Sequence, residues 1–179
     1  MKLAPVAALA AALLSVPATA ALPVGAKAPD FSTQASLAGK PFDFRLSDAL
    51  KKGPVVLYFF PAAFTKGCTI EAHDFAEVTA DFNKLGATVV GMSADNIDTL
   101  NRFSREACRD KFAVASAKPD VVKGFDVAMP QREGLTDRTS YVIAPDGKIL
   151  YVLTQMNPRG HVTGTMDAVK AWEAAHPKK

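Results

Sequence analysis

Tyr58-Phe59-Phe60-Pro61-Ala62-Ala63-Phe64-Thr65-Lys66-Gly67-Cys68-Thr69-Ile70-Glu71 carries an apolar strand through a turn and sets a cysteine where a helix begins. The run Val55 to Phe60 is β-branched and aromatic, which predicts a buried strand, and Pro61 lacks the N–H that would extend its ladder. Beyond the turn, Ile70, Phe75, Val78, Phe82 and Leu85 recur mostly at three- and four-residue steps, which predicts an amphipathic helix closed by Gly86. Cys68 then falls in or just before the first helical turn, where backbone N–H groups lack partners and the positive dipole end favours an anion. Such a setting holds a cysteine as its thiolate, the nucleophilic form. Thr65, three residues earlier, brings a hydroxyl across the turn to the sulfur. Pro61, seven earlier, adds an apolar ring that shields it from water.

Working outward, Ala87 to Ala94 reads as a second apolar strand, parallel to the first in a β-α-β unit. Asp95 is the expected cap of a helix from Asn96 to about Lys111, with Ile97, Leu100, Ser104 and Ala107 along one stripe and Cys108 at its border. A short strand at Phe112 to Ala115, a brief helix at Val121 to Phe125 and a loop from Val127 to Asp137 follow. Thr139 to Ile143 and Lys148 to Leu153 flank Ala144-Pro145-Asp146-Gly147, a hairpin signal. A last helix is expected from Val162 to Ala175, with Val162, Met166, Val169 and Trp172 on one face. Upstream, Phe31 to Leu37 and Phe42 to Leu46 read as strands around a turn at Gly39-Lys40-Pro41, and Ser47-Asp48 as the cap of a brief helix ended by Gly53-Pro54. This order predicts an α/β sandwich on a mixed sheet, and periodicity alone leaves other α/β arrangements open.

The chain has 179 residues, 49% hydrophobic and 22% charged, enough for one filled core and one domain. Residues 1–20 have the layout of a secretory signal: Met1-Lys2, an Ala- and Leu-rich run from Leu3 to Val16, and Ala18-Thr19-Ala20 as a small-x-small cleavage site. The apolar run is short of the ~20 residues that span a bilayer, so the expectation is cleavage after Ala20, a domain at 21–179, an exported, periplasmic destination and no membrane partner afterwards. The net charge is +3, with no basic arm or Arg-rich stripe, which excludes nucleic acid as an implied partner. An exported chain with two cysteines, Cys68 and Cys108, raises a structural bridge as one alternative. His73, His161 and His176 are scattered and share no metal-ligand spacing with the cysteines, and no Gly-x-Gly-x-x-Gly or Walker sequence implies a nucleotide or flavin. Structural or surface roles are expected for the histidines. Phe59, Phe60, Phe64 and Trp172 read as core or pocket wall.

The pattern Pro61-x-x-x-Thr65-x-x-Cys68 resembles the peroxidatic motif of the peroxiredoxins. Phe64-Thr65-Lys66-Gly67-Cys68-Thr69-x-Glu71-Ala72 is similar to the Q-type, or bacterioferritin-comigratory-protein, subfamily, although Lys66 stands where proline is commoner. Lys27-Ala28-Pro29-Asp30-Phe31 resembles the start of such domains, and the likeness extends from Pro29 to Trp172. It implies a thioredoxin-like fold, a mixed central sheet flanked by helices with an N-terminal β-hairpin. It also implies a thiol peroxidase that reduces hydrogen peroxide and alkyl hydroperoxides without metal or organic cofactor. By the resemblance Cys68 is the peroxidatic nucleophile, Thr65 orients the peroxide, the Gly67 and Cys68 N–H groups are donors, Pro61 shields, and Arg138 holds thiolate and peroxide.

Glu71 matches the family's Thr-x-Glu pattern, yet the helix dipole alone accounts for an acid there, at about 0.3–1 kcal/mol. Lys66 adds to thiolate stabilisation or is simply exposed, and Gly160-His161 resembles a packing or capping feature before the family's last helix. The resolving cysteine found five residues after the nucleophile in many relatives is replaced by His73. Cys108 lies where other Q-type members carry theirs, which implies a Cys68–Cys108 disulfide during turnover. The competing reading is a core-filling Cys108 and a one-cysteine enzyme resolved by an external thiol. The implied partners are a hydroperoxide and a thioredoxin-like or small-thiol reductant, with a monomer or weak dimer as the expected state. Two rivals stand beside this reading. A thioredoxin-like disulfide oxidoreductase needs Cys-x-x-Cys, and the third residue after Cys68 is Glu71. A redox-sensing or binding module without turnover would not need Pro61, Thr65 and Arg138 together.

Overall fold

The computed structural model describes residues 21–177; the expected signal segment, residues 1–20, lies outside them. In chain order the elements are β1 (Ser32–Leu37), β2 (Lys40–Arg45), α1 (Leu46–Leu50), β3 (Val55–Phe59), α2 (Lys66–Lys84) and β4 (Thr88–Ser93). Then follow α3 (Ile97–Glu106), β5 (Ala113–Ser116), α4 (Pro119–Gly124), β6 (Thr139–Ile143), β7 (Ile149–Thr154) and α5 (His161–Ala175). The strands form one mixed sheet in the order β2-β1-β5-β4-β3-β6-β7. β3 pairs parallel with β4 and antiparallel with β6, and β4 pairs parallel with β5. The expected mixed sheet, flanking helices and N-terminal hairpin are all present. No helix of the described residues is long and apolar enough to cross a membrane.

β3 is buried along its whole length, which its unbroken apolar sequence requires of a central strand with both faces covered. Its side chains alternate between two cores. Val55, Leu57 and Phe59 join Leu46 of α1, Val121 of α4, Phe125 and Tyr141 on one face. Val56, Tyr58 and Phe60 join Phe75 of α2, Phe103 of α3 and Val169 of α5 on the other. Cys68 and Cys108 both lie on this second face, so the two thiols share one side of the sheet.

Several local expectations shift. The first hairpin turns at Ala38-Gly39, both left-handed (φ 52° and 73°), and not at Gly39-Lys40-Pro41. Lys40 and Pro41 belong to β2, an edge strand that tolerates a proline. Ser47 and Asp48 sit inside α1 rather than capping it; Asp30 accepts the Ser47 N–H at 2.9 Å. Asn96, not Asp95, caps α3 by accepting from Thr99 N at 2.9 Å. That helix stops at Glu106, because Arg109 and Asp110 turn left-handed (φ 51° and 59°). Cys108 is therefore in the turn after α3. Ile70 is exposed, and the buried side of α2 runs through Cys68, Glu71, Ala72, Phe75, Thr79 and Phe82. On α5 the buried line is His161, Thr165 and Val169, with Trp172 only half-buried and stacked on His176.

Candidate active site

The site forms where β3 ends. Phe60 N donates to Met92 O at 2.9 Å and Phe60 O accepts from the Thr136 hydroxyl at 2.8 Å, after which Pro61, buried, stops the ladder. Asp95 holds the turn: its carboxylate accepts from Ala63 N and from the Ser93 hydroxyl, each at 2.8 Å. Phe64 then adopts a left-handed backbone (φ 63°), uncommon for a bulky side chain. α3 grips that residue, with Phe103 edge-on at 5.3 Å between centroids and the Arg102 guanidinium 5.0 Å over the ring.

Thr65 is the N-cap of α2, and its carbonyl accepts from Thr69 N at 2.9 Å. Its hydroxyl donates to Ala62 O at 3.0 Å and does not cap the helix. No hydrogen bond joins the Thr65 hydroxyl to Cys68 Sγ among the described residues: the O–H is spent on the turn, and the oxygen lone pairs remain available to accept. With no side-chain cap, the N–H groups of Lys66, Gly67 and Cys68 have no helical partner. Cys68 is the third residue of the helix and is 1% exposed. Lys66 is exposed and forms no salt bridge among the described residues.

Arg138 reaches the sulfur from the entry to β6, the strand next to β3. Phe59 pairs with Thr139 in the antiparallel β3–β6 register, so the residue before β6 lies beside the turn. Its Nη2 donates to Cys68 Sγ at 3.3 Å, its Nη1 to the Glu71 carboxylate, and its Nε to Met156 O at 3.0 Å. All three guanidinium nitrogens are committed, and the side chain is 3% exposed. Gly67 makes room for it: a Cβ there would lie 3.1 Å from Nη2.

Glu71 is fully buried. Burial pushes its carboxyl up to about 8, against the opposing charge and hydrogen bond of Arg138. One oxygen accepts from Arg138, whereas Oε1 has no partner among the described residues and lies 3.8 Å from His161 Nδ1. His161, also fully buried, faces the Ser140 hydroxyl through Nδ1 at 2.8 Å and Gln155 O through Nε2 at 3.0 Å. Burial holds its imidazole below the ordinary range. Pro61, Thr65, Gly67, Cys68 and Arg138 are thus brought together. Glu71, bonded to Arg138, and His161, 3.8 Å from Glu71 Oε1, lie beside them. The signal for Glu71 was its spacing: three residues after Cys68 on a helix, it shares the sulfur's face. No local pattern pointed to Ser140 or to the carbonyls of Gln155 and Met156.

Cys108 is buried and free, as is Cys68, and burial drives its thiol well above the ordinary range. Asp95, bonded to the site turn, leads into α3, which runs on for ten residues before Cys108, about 15 Å of helix. Phe103, midway, is the residue that stacks on Phe60 at 5.2 Å. Chemically, the site sets the Cys68 sulfur against one fixed cation and unclaimed N–H donors, and can stabilise negative charge developing on an atom under attack.

Comparison with known proteins places these features in a family. The AhpC/TSA family model matches residues 24–152. A Helicobacter pylori (strain J99) peroxiredoxin named bcp is 44% identical over 154 residues, 83% of this chain and 98% of that one. Peroxiredoxin Bcp of Xanthomonas campestris is 28% identical over 125 residues, 65% of this chain and 76% of its own. Among solved structures, peroxidoxin BcpB of Mycobacterium tuberculosis superposes with a TM-score of 0.74 at 32% identity, covering 83% of this chain and 96% of that one.

Proposed function

The chain belongs to the AhpC/TSA family and is a thiol-dependent peroxidase of the Bcp/Q-type peroxiredoxins, and from that premise we propose how its own residues divide the reaction. Cys68 is the nucleophile. Its thiolate attacks one oxygen of the O–O bond in line, the S–O bond forms as the O–O bond breaks, and the second oxygen leaves with the electron pair and is protonated to water or an alcohol. Sulfur is oxidised by two electrons to the sulfenic acid and the peroxide is reduced by two. Arg138 and the N–H groups of Gly67 and Cys68 stabilise the charge that passes from sulfur to the leaving oxygen. Thr65, its proton committed to Ala62 O, accepts a hydrogen bond from the peroxide and orients it. Pro61 keeps bulk water from the sulfur. The observation that carries this reading is the guanidinium contact to Cys68 Sγ at 3.3 Å at an uncapped helix N-terminus.

Cys108 resolves the sulfenic acid. Its thiol sulfur attacks Cys68, the S–OH oxygen leaves as water with the thiol proton, and a thioredoxin-like reductant returns the disulfide to two thiols. Its place on the same face of the sheet as Cys68 supports this. A second reading is favoured by its burial and raised thiol: resolution by an external small thiol, with Cys108 as core. The layout of residues 1–20 supports export to the periplasm as a mature chain beginning at Ala21. The exposed large apolar residues are Val24, Leu37, Phe42, Phe64, Ile70 and Met156, of which Leu37 and Phe42 share the β1–β2 hairpin, and the state we assign is a monomer or weak dimer. The test is consumption of hydrogen peroxide and of an alkyl hydroperoxide by residues 21–179 with thioredoxin or dithiothreitol as reductant. Turnover that is lost in Cys68→Ser is expected; equal turnover in that variant overturns the assignment.

A further inference from the structure

Around Cys68 the buried site holds two acids and one cation. Cys68 and Glu71 take different nitrogens of the same Arg138 guanidinium, and all three side chains are essentially sealed from water. Burying a net negative charge is costly, so the two acids compete for one counter-charge. The remaining groups facing Glu71 are His161 on α5, Tyr58 on β3 and Asp74 on α2, and none of them is a fixed cation.

His161 decides the competition. Its Nε2 faces the carbonyl oxygen of Gln155, which only accepts, so Nε2 carries the ring proton. Nδ1 is then an acceptor, 2.8 Å from the Ser140 hydroxyl and 3.8 Å from the unpartnered Oε1 of Glu71. A lone pair repels a carboxylate oxygen and welcomes a carboxylic O–H. The geometry points to His161 as a positioning residue: through Nδ1 it keeps Glu71 protonated, and so leaves the charge of Arg138 to the Cys68 thiolate. The raised carboxyl and lowered imidazole agree in direction with this neutral pair. Ser140 donates to the same Nδ1 at 2.8 Å and competes with Glu71 for it. The inference rests on Cys68 being the peroxidatic nucleophile.

The test is the pH profile of the rate constant for Cys68 oxidation by hydrogen peroxide, followed by rapid quench and mass analysis. In the wild type the rate is expected to fall as pH rises through about 8, where Glu71 ionises and takes Arg138 for itself. Glu71→Gln, a fixed neutral acceptor for Arg138, is expected to lose that falling limb. His161→Phe removes the lone pair and moves the limb to lower pH, while His161→Asn, which keeps an acceptor near the Nδ1 position, restores it. Ser140→Ala frees Nδ1 and moves the limb to higher pH. A profile flat through pH 8 in the wild type, or a limb that persists in Glu71→Gln, overturns the inference. So does a uniform loss of rate in His161→Phe without a shift. Should His161→Phe not fold, Ser140→Ala decides: an unmoved limb overturns the inference. Cys68 that is not oxidised at any pH fails the peroxidase reading itself, whereas oxidation with a flat profile fails only this one.

Discussion

At Arg138 one side chain serves two acids and a carbonyl, and only a planar fork with separate nitrogens can do so. Arg138→Lys keeps a charge but not the fork, so the ammonium satisfies either sulfur or Glu71. The rate of peroxide reduction is expected to fall about 10²–10³-fold, as for loss of a preorganised donor, read in steady-state assays; a change within a factor of two would refute the role. Glu71 also carries a stability prediction. Its folded pKa, about 8, lies above its ordinary 4.5, so the folded state binds the proton more tightly. Unfolding releases that proton between the two values, and the wild type is expected to lose stability as pH rises from about 4.5 to about 8, then level off. Urea unfolding of wild type and Glu71→Gln should diverge across that window, the variant being relatively more stable at pH 8 than at pH 5. Cys68, Thr65 and Pro61 were legible because their chemistry is local to one turn. Arg138 was reached only through the family resemblance, since a strand-edge arginine carries no local signal. The part of His161 was hidden because its partners lie on α2, β6 and the loop before α5, brought together only by the sheet.

Among the elements, β3 shows how packing overrides a polar group. Tyr58 stacks on Phe75 at 4.4 Å, and its ring lies over Gly91 of β4, where a Cβ would meet it at 2.8 Å. Its buried hydroxyl has no partner among the described residues. Tyr58→Phe is therefore expected to stabilise the fold by about 1 kcal/mol. Gly91→Ala should destabilise by about 1–3 kcal/mol through overpacking, with partial rescue in the double variant, all by denaturant melts. Additive effects of the two changes would contradict the packing argument. The turn into α2 is held by α3 through Asp95, Phe103 and Arg102. Bridging Cys68 to Cys108 needs Cα atoms within about 4.4–6.8 Å, and that grip is expected to open for it. Hydrogen exchange should rise in the first turn of α2 and the end of α3 on oxidation, and unchanged protection alongside a formed disulfide would contradict this. The long periodic elements were legible. Caps and turns were misplaced where a tertiary partner decided them, as when Asp95 bonded the site turn and left Asn96 to cap α3.

For the whole molecule, the alternation along β3 sends one set of side chains to each of two cores, and both cysteines lie in the core that holds Val56, Tyr58 and Phe60. The burial of β3 was readable from the strand's unbroken apolar run; the shared face of the cysteines was not. The order of the seven strands was not, since periodicity does not say which strands pair; the family resemblance implied only a mixed, thioredoxin-like sheet. The fold brings the C-terminal end of β3, the start of α2 and the entry to β6 to one point, where the Cys68 sulfur meets the Arg138 guanidinium. The most direct test is the intact mass of residues 21–179 after one equivalent of hydrogen peroxide, beside Cys68→Ser and Cys108→Ser. Loss of two hydrogens in the wild type, one added oxygen in Cys108→Ser and no change in Cys68→Ser are expected. An added oxygen in the wild type that persists until a thiol is supplied would contradict Cys108 as resolver, and a wild type unchanged by peroxide would contradict the account of Cys68 as its nucleophile.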